Sequence, residues 1–152
     1  MEHVSINVKI WKSCDEAIIP QYAKDGDAGM DLTAVSYEYD EKLQCHIYHT
    51  GLHMAIPEGF VGLIYPRSSN RKTNAYMTNH VGVIDSGYRG EILVCFKNRD
   101  EKNNYSMPYK PGDRIAQIII MPYPKITFNE VIVKTDLGKT ERGDGGHGST
   151  GK

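Results

Sequence analysis

The chain of 152 residues has the length of a single domain, and its hydrophobic content of 39% and charged content of 24% are ordinary for a globular protein. Lysine and arginine total 18 against 19 aspartate and glutamate residues, for a formal net charge of −1. This balance provides no global basic field for nucleic acid, so an anionic ligand would need a local cluster of donors. No apolar run approaches a membrane span, and the first residues lack a secretory or targeting pattern. We therefore expect a cytoplasmic protein with no membrane partner and no direct nucleic-acid binding.

The chain is predicted to alternate short strands with turns. Period-two or continuous β-prone runs predict strands over residues 4–11, 30–35, 43–49, 52–56, 60–65, 81–84, 91–96, 114–121 and 126–133. Turn-forming residues predict turns over residues 37–40, 50–51, 57–59 and 85–87. The cationic segment 67–74 is expected to form one helical turn, with Ser68 or Ser69 as its cap. The strands over 81–84 and 91–96 are predicted to pair as a β-hairpin.

These short strands, without a long amphipathic helix, predict an all-β sandwich or jelly roll. The glycine-rich C-terminus cannot bury a core, so we expect a jelly-roll domain over residues 1–134 and a mobile arm over residues 135–152. Cys14, Cys45 and Cys95 are odd in number and have no CxxC spacing, which predicts neither disulfides nor a zinc site. Cys95 lies in an apolar run, where a buried, unreactive thiol is expected.

Five segments carry polar or glycine residues that their strands do not require. They are DAGMDL (27–32), PRSS (66–69), GVIDSGYRG (82–90), PGDRIAQ (111–117) and RGDGGHGSTG (142–151). Each alone has an ordinary explanation, such as a satisfied core amide for Gln117 or a linker-like terminus for the last segment. In the third segment, however, Gly82 allows close approach to the backbone, while Asp85 and Tyr88 offer a carboxylate and an aromatic face.

Together the five segments resemble the motifs of the trimeric dUTP pyrophosphatases (dUTPases), which occur in this order and cover residues 27–151 here. The matches to AGxDL, GVIDxxYRGE, PGDRIAQ and RGxGGxGSTG are highly specific. The resemblance implies a jelly-roll subunit in a homotrimer, with each active site built from all three chains. It also implies hydrolysis of dUTP to dUMP and pyrophosphate with Mg²⁺ on the triphosphate. That reaction limits uracil incorporation into DNA and supplies dUMP for thymidylate synthesis.

The resemblance further implies a role for individual residues. Asp85 corresponds to the general base that orients the attacking water, and Tyr88 to the ring beneath the deoxyribose. Asp31 corresponds to an acid that contacts the metal through water, as Mg²⁺ commonly allows. Arg142 is the second catalytic candidate and contacts the terminal phosphates. The remaining candidates bind substrate: for uracil Asn79, Gly82, Val83 and Ile84; for phosphates Arg67, Ser68, Ser69 and Gln117; and, in a closing tail, His147, Gly148, Ser149 and Thr150.

The chain departs from the family pattern at three positions. His147 stands where a phenylalanine usually stacks over uracil, and its charge varies near neutral pH, so we expect weaker and pH-dependent tail closure. Asp144 adds a negative charge to a segment that approaches phosphates. The second motif continues as SNRKTN, which makes the role of Ser69 less secure than that of Ser68. Two alternatives stay open: a dUTPase-like regulatory protein that binds a protein partner, and a dCTP deaminase-type enzyme.

Overall fold

The computed structural model describes residues 5–100, 102 and 105–146. In this part of the chain the strands are β1 (Lys9–Lys12), β2 (Met30–Thr33), β3 (Ser36–Asp40), β4 (Cys45–Ala55), β5 (Phe60–Pro66), β6 (Ala75–Met77), β7 (Gly82–Ile84), β8 (Glu91–Asn98) and β9 (Arg114–Pro122). Short 3₁₀ helices cover Ser68–Lys72 and Lys134–Leu137. No α-helix occurs among the described residues, nor any helix long and apolar enough to cross a membrane. The predicted all-β class is confirmed.

The strands form two antiparallel sheets. One has the order β1-β4-β8-β6, with β3 also paired to β4, and the other has the order β2-β9-β5-β7. Alternation along β8 shows why these runs form strands, since Ile92, Val94 and Phe96 are buried while the residues between them are partly exposed. Ile64 and Ile118 from the second sheet join them in one core. The sheets therefore pack as a β-sandwich.

The predicted hairpin between residues 81–84 and 91–96 is wrong. Strand β7 pairs with β5 in the second sheet, whereas β8 pairs with β4 and β6 in the first. Residues 85–90 therefore cross between the sheets. Gly82 is one reason why β7 can pair with β5, because a Cβ at this position would lie only 3.2 Å from Ile64 Cβ. The absence of a side chain thus lets β7 approach β5 closely.

Local boundaries also differ from the predictions. Residues 37–40 form a strand rather than a turn, since Tyr37 and Tyr39 both pack against His46 of β4. The two predicted strands over 43–49 and 52–56 are one strand, because the break at Thr50-Gly51 is a bulge within β4. At the first strand, the structure has Lys9–Lys12 where residues 4–11 were predicted: residues 5–8 are not in a strand, Lys12 is added, and residue 4 lies outside the described residues.

Residues 126–133 were predicted to form a strand, and this is wrong. Their apolar side chains have no core to enter: Phe128 is 93% exposed and Ile132 is 98% exposed. The predicted cap at Ser68 or Ser69 is also wrong, because Arg67 occupies the N-cap position and makes no capping bond through its side chain. Cys95 is partly rather than fully buried.

Candidate active site

Strand register places three of the five segments side by side. Asp31 of β2 pairs with Gln117 of β9, and Gln117 pairs in turn with Tyr65 of β5. Residues that pair directly across antiparallel strands project from the same face, so these three side chains share one face of the sheet. Their neighbours Ile64 and Ile118 are fully buried, which identifies the face of Asp31 and Gln117 as the outer one.

Two arginines converge on Asp31 at this face. Arg67 Nε donates to Asp31 Oδ1 at 2.6 Å and its Nη2 donates to Oδ2 at 3.3 Å, a side-on bidentate pairing of guanidinium and carboxylate. Arg114 Nη1 donates to the same Oδ2 at 3.1 Å. Arg67 Nη1 also donates to Ser69 Oγ at 3.0 Å. One carboxylate against two guanidinium groups leaves an excess of positive charge beside the predicted phosphate-binding residues.

Gln117 joins this group through the backbone. Its Nε2 donates to the carbonyl of Pro66 at 3.0 Å, and its Oε1 would lie only 2.5 Å from a Cβ placed on Gly29. The glycine of DAGMDL is therefore needed to make room for the amide. We call Asp31, Arg67, Ser69, Arg114 and Gln117 the phosphate-side cluster. Ser68 is exposed beside it at the start of the 3₁₀ helix.

The other candidates lie on β7 and the crossing that follows. Gly82 is buried near the Asn79 carbonyl, while Val83 is 60% exposed. Asp85 accepts a backbone hydrogen bond from Tyr88 N at 3.0 Å, which closes a turn with both side chains exposed to solvent. We call residues 82–90 the base-side segment.

Tyr88 is held by its own loop. Its hydroxyl donates to the carbonyl of Glu91 at 2.9 Å, and a Cβ on Gly90 would overlap that hydroxyl. Glu91 in turn accepts from Gly51 N at 2.8 Å and contacts His49 Nδ1 at 2.9 Å, which fixes the start of β8 against the bulge of β4. Sequence reasoning gave no role to Glu91 or Arg114, although each belongs to a recognised motif.

Within one chain Asp85 lies far from the phosphate-side cluster, although Gly82 at the start of the base-side segment pairs with Ile64, next to Tyr65. Ile84 pairs with Gly62, four residues before the end of β5 at Pro66. Gln117 of the cluster pairs with Tyr65, and Asp85 is one residue beyond Ile84. Asp85 therefore lies about four residues along β5 from Gln117, on the order of 13 Å at about 3.3 Å per residue. The structure therefore does not bring all the predicted residues together in a single subunit.

The tail is described as far as Gly146. Arg142 is exposed, and its Nε donates to Gly145 O at 2.8 Å. Asp144 pairs with Lys134 Nζ at 2.9 Å in an exposed ion pair. The predicted residues His147, Gly148, Ser149 and Thr150 lie outside the described residues.

The phosphate-side cluster offers few ligands for Mg²⁺. Among the described residues no group of three or more His, Cys, Asp or Glu side chains converges as a metal site. Asp31 brings one carboxylate, whose two oxygens already accept bonds from arginine. This set fits an ion that takes most of its ligands from phosphate oxygens and water, with one outer protein contact.

Phage dUTPases of known structure share this fold. A dUTPase mutant from Staphylococcus bacteriophage 80alpha, solved with dUpNHpp, has a TM-score of 0.80 and 24% identity, and the match covers 97% of this chain and 100% of that one. A dUTPase mutant from phage phi11 of S. aureus, solved to show the coordination of a structural Mg(II) ion, has a TM-score of 0.70 with 23% identity, covering 86% and 99%. These likenesses define the class: the protein has the β-sandwich of the dUTPases.

Sequence comparison gives the family. The dUTPase family model matches residues 15–151. The deoxyuridine 5'-triphosphate nucleotidohydrolases of Corynebacterium glutamicum and Clostridium tetani are 40% and 37% identical, and the matches cover 95% and 100% of this chain and of each relative. That of Rhodococcus erythropolis is 38% identical, covering 99% of this chain and 88% of the relative. The chain belongs to the dUTPase family.

Proposed function

We propose that this protein hydrolyses dUTP to dUMP and pyrophosphate, and thereby limits uracil incorporation into DNA and supplies dUMP for thymidylate synthesis. Family membership over residues 15–151 carries the proposal, and the exposed Asp85 beside Tyr88 supports it. A carboxylate at this turn is accessible to a water molecule and to a nucleotide bound against β7.

Asp85 is proposed to accept a proton from a water that attacks the α-phosphorus. The bond between the α-phosphorus and the bridging oxygen then breaks, and pyrophosphate leaves. Tyr88 packs its ring beneath the deoxyribose, where an apolar surface offers no partner for a 2′-hydroxyl and so disfavours UTP. The backbone of Gly82, Val83 and Ile84, with Asn79 alongside, is proposed to pair with the edge of uracil.

The phosphate-side cluster is proposed to bind the triphosphate. Arg67, Ser68, Ser69 and Gln117 supply donors to the phosphate oxygens, and Mg²⁺ on the triphosphate neutralises charge there. Asp31 would contact that ion through water, since both of its oxygens already accept bonds from arginine. Arg142 would contact the terminal phosphates, and His147, Gly148, Ser149 and Thr150 would complete the closed site.

A homotrimer with shared active sites is part of the proposal. The attacking water must lie within hydrogen-bond reach of Asp85, and the phosphates that follow the α-phosphate are only a few ångströms further. A separation of about 13 Å along β5 is too large for one chain to perform both tasks. A neighbouring copy would supply the missing half, and the exposed apolar residues of 126–133 would become buried in such an assembly.

Residues 1–134 are proposed to form the folded domain and residues 135–152 the closing arm. The three cysteines are free thiols, which agrees with a reducing compartment, and we propose that the protein is cytoplasmic.

The test is pyrophosphate release from dUTP with Mg²⁺, run in parallel with dCTP, dTTP and UTP. We expect rapid release from dUTP alone and a loss of at least about a hundredfold in Asp85→Asn. Asp15→Asn, at an exposed position outside the site, is the matched control and should keep the full rate. Equal release from all four nucleotides, or an active Asp85→Asn protein, would refute the proposal. Ammonia release from dCTP would instead indicate a deaminase.

A further inference from the structure

A buried amide immediately follows the predicted phosphate-binding residues. Asn70 is 9% exposed, and its polar groups are all engaged. Its backbone N–H donates to Arg67 O at 2.9 Å, and its Nδ2 donates to Ala75 O at 3.2 Å. Its Oδ1 accepts from Tyr109 Oη at 2.8 Å and from Thr73 Oγ1 at 3.2 Å. Asn70 thus closes the 3₁₀ turn and attaches it to another part of the chain.

Tyr109 supplies the fixed end of this connection. Its ring packs against Phe96 at 5.1 Å between centroids, and its backbone N–H and carbonyl both bond to Tyr48 Oη, at 3.0 and 2.8 Å. Burial raises the pKa of Tyr109, an effect partly opposed by the nearby charge of Arg67, so the phenol keeps its proton at neutral pH. The hydroxyl is therefore a permanent donor to Asn70.

The segment 67–70 is consequently held at both ends. At its start the Arg67 side chain is held by Asp31, and at its end Asn70 is held by Tyr109. The hydroxyls of Ser68 and Ser69 lie between these two anchors. The ion pair attaches only the start of the turn to the sheet, whereas the second anchor attaches its end to Tyr109.

We propose that Asn70 and Tyr109 are positioning residues that set the geometry of the phosphate-binding turn. This rests on the proposed function, in which Ser68 and Ser69 bind the triphosphate. Neither residue touches the nucleotide. Their effect depends on how many phosphates the ligand carries, because the base is proposed to bind along β7 rather than at this turn.

The experiment compares Tyr109→Phe, Asn70→Ala and the double variant as full-length proteins. Each is measured for KM and kcat with dUTP, for affinity toward the imido analogue dUpNHpp and toward dUMP, and for Tm. Tyr109→Phe loses only the hydrogen bond to Asn70, which should weaken dUpNHpp binding and raise KM about five- to tenfold. Asn70→Ala also loses the side-chain bonds to Ala75 and Thr73 and should lose at least as much. Affinity for dUMP should change by less than about twofold. Because both residues act through one bond, the double variant should lose little more than the worse single variant.

Tyr105→Phe is the matched control, since Tyr105 is 70% exposed and its hydroxyl donates to Glu41 rather than to the phosphate-binding turn. It should leave all binding unchanged. An equal loss of dUMP and dUpNHpp affinity, fully additive effects, or a lower Tm with unchanged KM would overturn the inference and leave a purely structural role. A wild-type protein that neither binds nor hydrolyses dUTP would defeat the proposed function itself, and this inference with it.

Discussion

Replacing Gly90 by alanine should displace the ring of Tyr88 without disturbing the core. A Cβ at Gly90 would overlap the Tyr88 hydroxyl and lie 2.8 Å from its Cε2, about 0.6 Å closer than an ordinary contact at 3.4 Å. Nearby Gly87 provides a matched control in the same loop, because a Cβ there meets nothing within 4 Å. The two variants add the same methyl group, and the two sites differ in whether it meets Tyr88.

The size of the effect follows from two contributions. Moving the ring breaks the hydrogen bond from Tyr88 to Glu91 O, which is worth about 1 kcal/mol, or about fivefold in rate. Misplacing a substrate-positioning group by about 1 Å can cost on the order of a hundredfold. We therefore expect kcat/KM for dUTP to fall about ten- to a hundredfold in Gly90→Ala, and Tyr88→Phe to lose about fivefold.

Steady-state pyrophosphate release measures these values, and thermal unfolding shows whether each variant is folded. Gly87→Ala should keep kcat/KM within about twofold, since an exposed substitution adds no contact. The reasoning is refuted if Gly90→Ala and Gly87→Ala behave alike, or if Gly90→Ala loses stability in proportion to its loss of activity.

Three further predictions concern single positions. Asp31→Asn should lower the free energy of unfolding in urea by about 1–3 kcal/mol, because it leaves a partly buried arginine without its carboxylate. Asp144→Asn is the control: it removes an exposed ion pair and should cost less than about 0.5 kcal/mol. Equal losses in the two variants would contradict this reasoning. Gly29→Ala places a Cβ 2.5 Å from Gln117 Oε1 and should displace this proposed phosphate-binding amide. The KM for dUTP should therefore rise with little change in Tm. An unchanged KM would show that the position of the Gln117 amide does not depend on Gly29. Burial raises the pKa of Cys95 from 9.0 to about 11, so its contribution to stability is complete below about pH 9 and declines as the pH rises toward 11. Urea unfolding between pH 8 and 11 should therefore show a shallower decline in Cys95→Ala than in the wild type, and parallel curves would contradict the burial argument.

The bounds of a strand could be predicted closely where its hydrophobic pattern is clear and turn residues lie at both ends. The run ending at Tyr65 and the run beginning at Arg114 correspond to β5 and β9 within one residue at each end. Their side chains alternate or form continuous apolar runs, and turn residues bound them. The predicted hairpin failed because the partner of β7 is distant in sequence. Nothing local reveals that β7 pairs with β5, because the decisive contact is between Gly82 and Ile64.

The arrangement of the candidate site also depends on strand pairing that the sequence does not reveal. The five segments, including Asp31 and Gln117, could be identified from their resemblance to a family, but which of them meet depends on strand register. The pairing of Asp31 with Gln117, and the separation of both from Asp85, follow from the order of the second sheet. The second anchor of the phosphate-binding turn was not predicted, because Asn70 and Tyr109 are 39 residues apart and neither stands out alone.

The distance between the two halves of the site along β5 has a genetic consequence. If Asp85 of one copy serves a triphosphate held by Arg67 of another, then a chain with Asp85→Asn and a chain with Arg67→Ala are defective in different halves of the same catalytic unit. Each would be inactive as a pure population. Co-expressed and mixed within one assembly, they would rebuild some intact sites from two damaged chains, so two null alleles would complement each other.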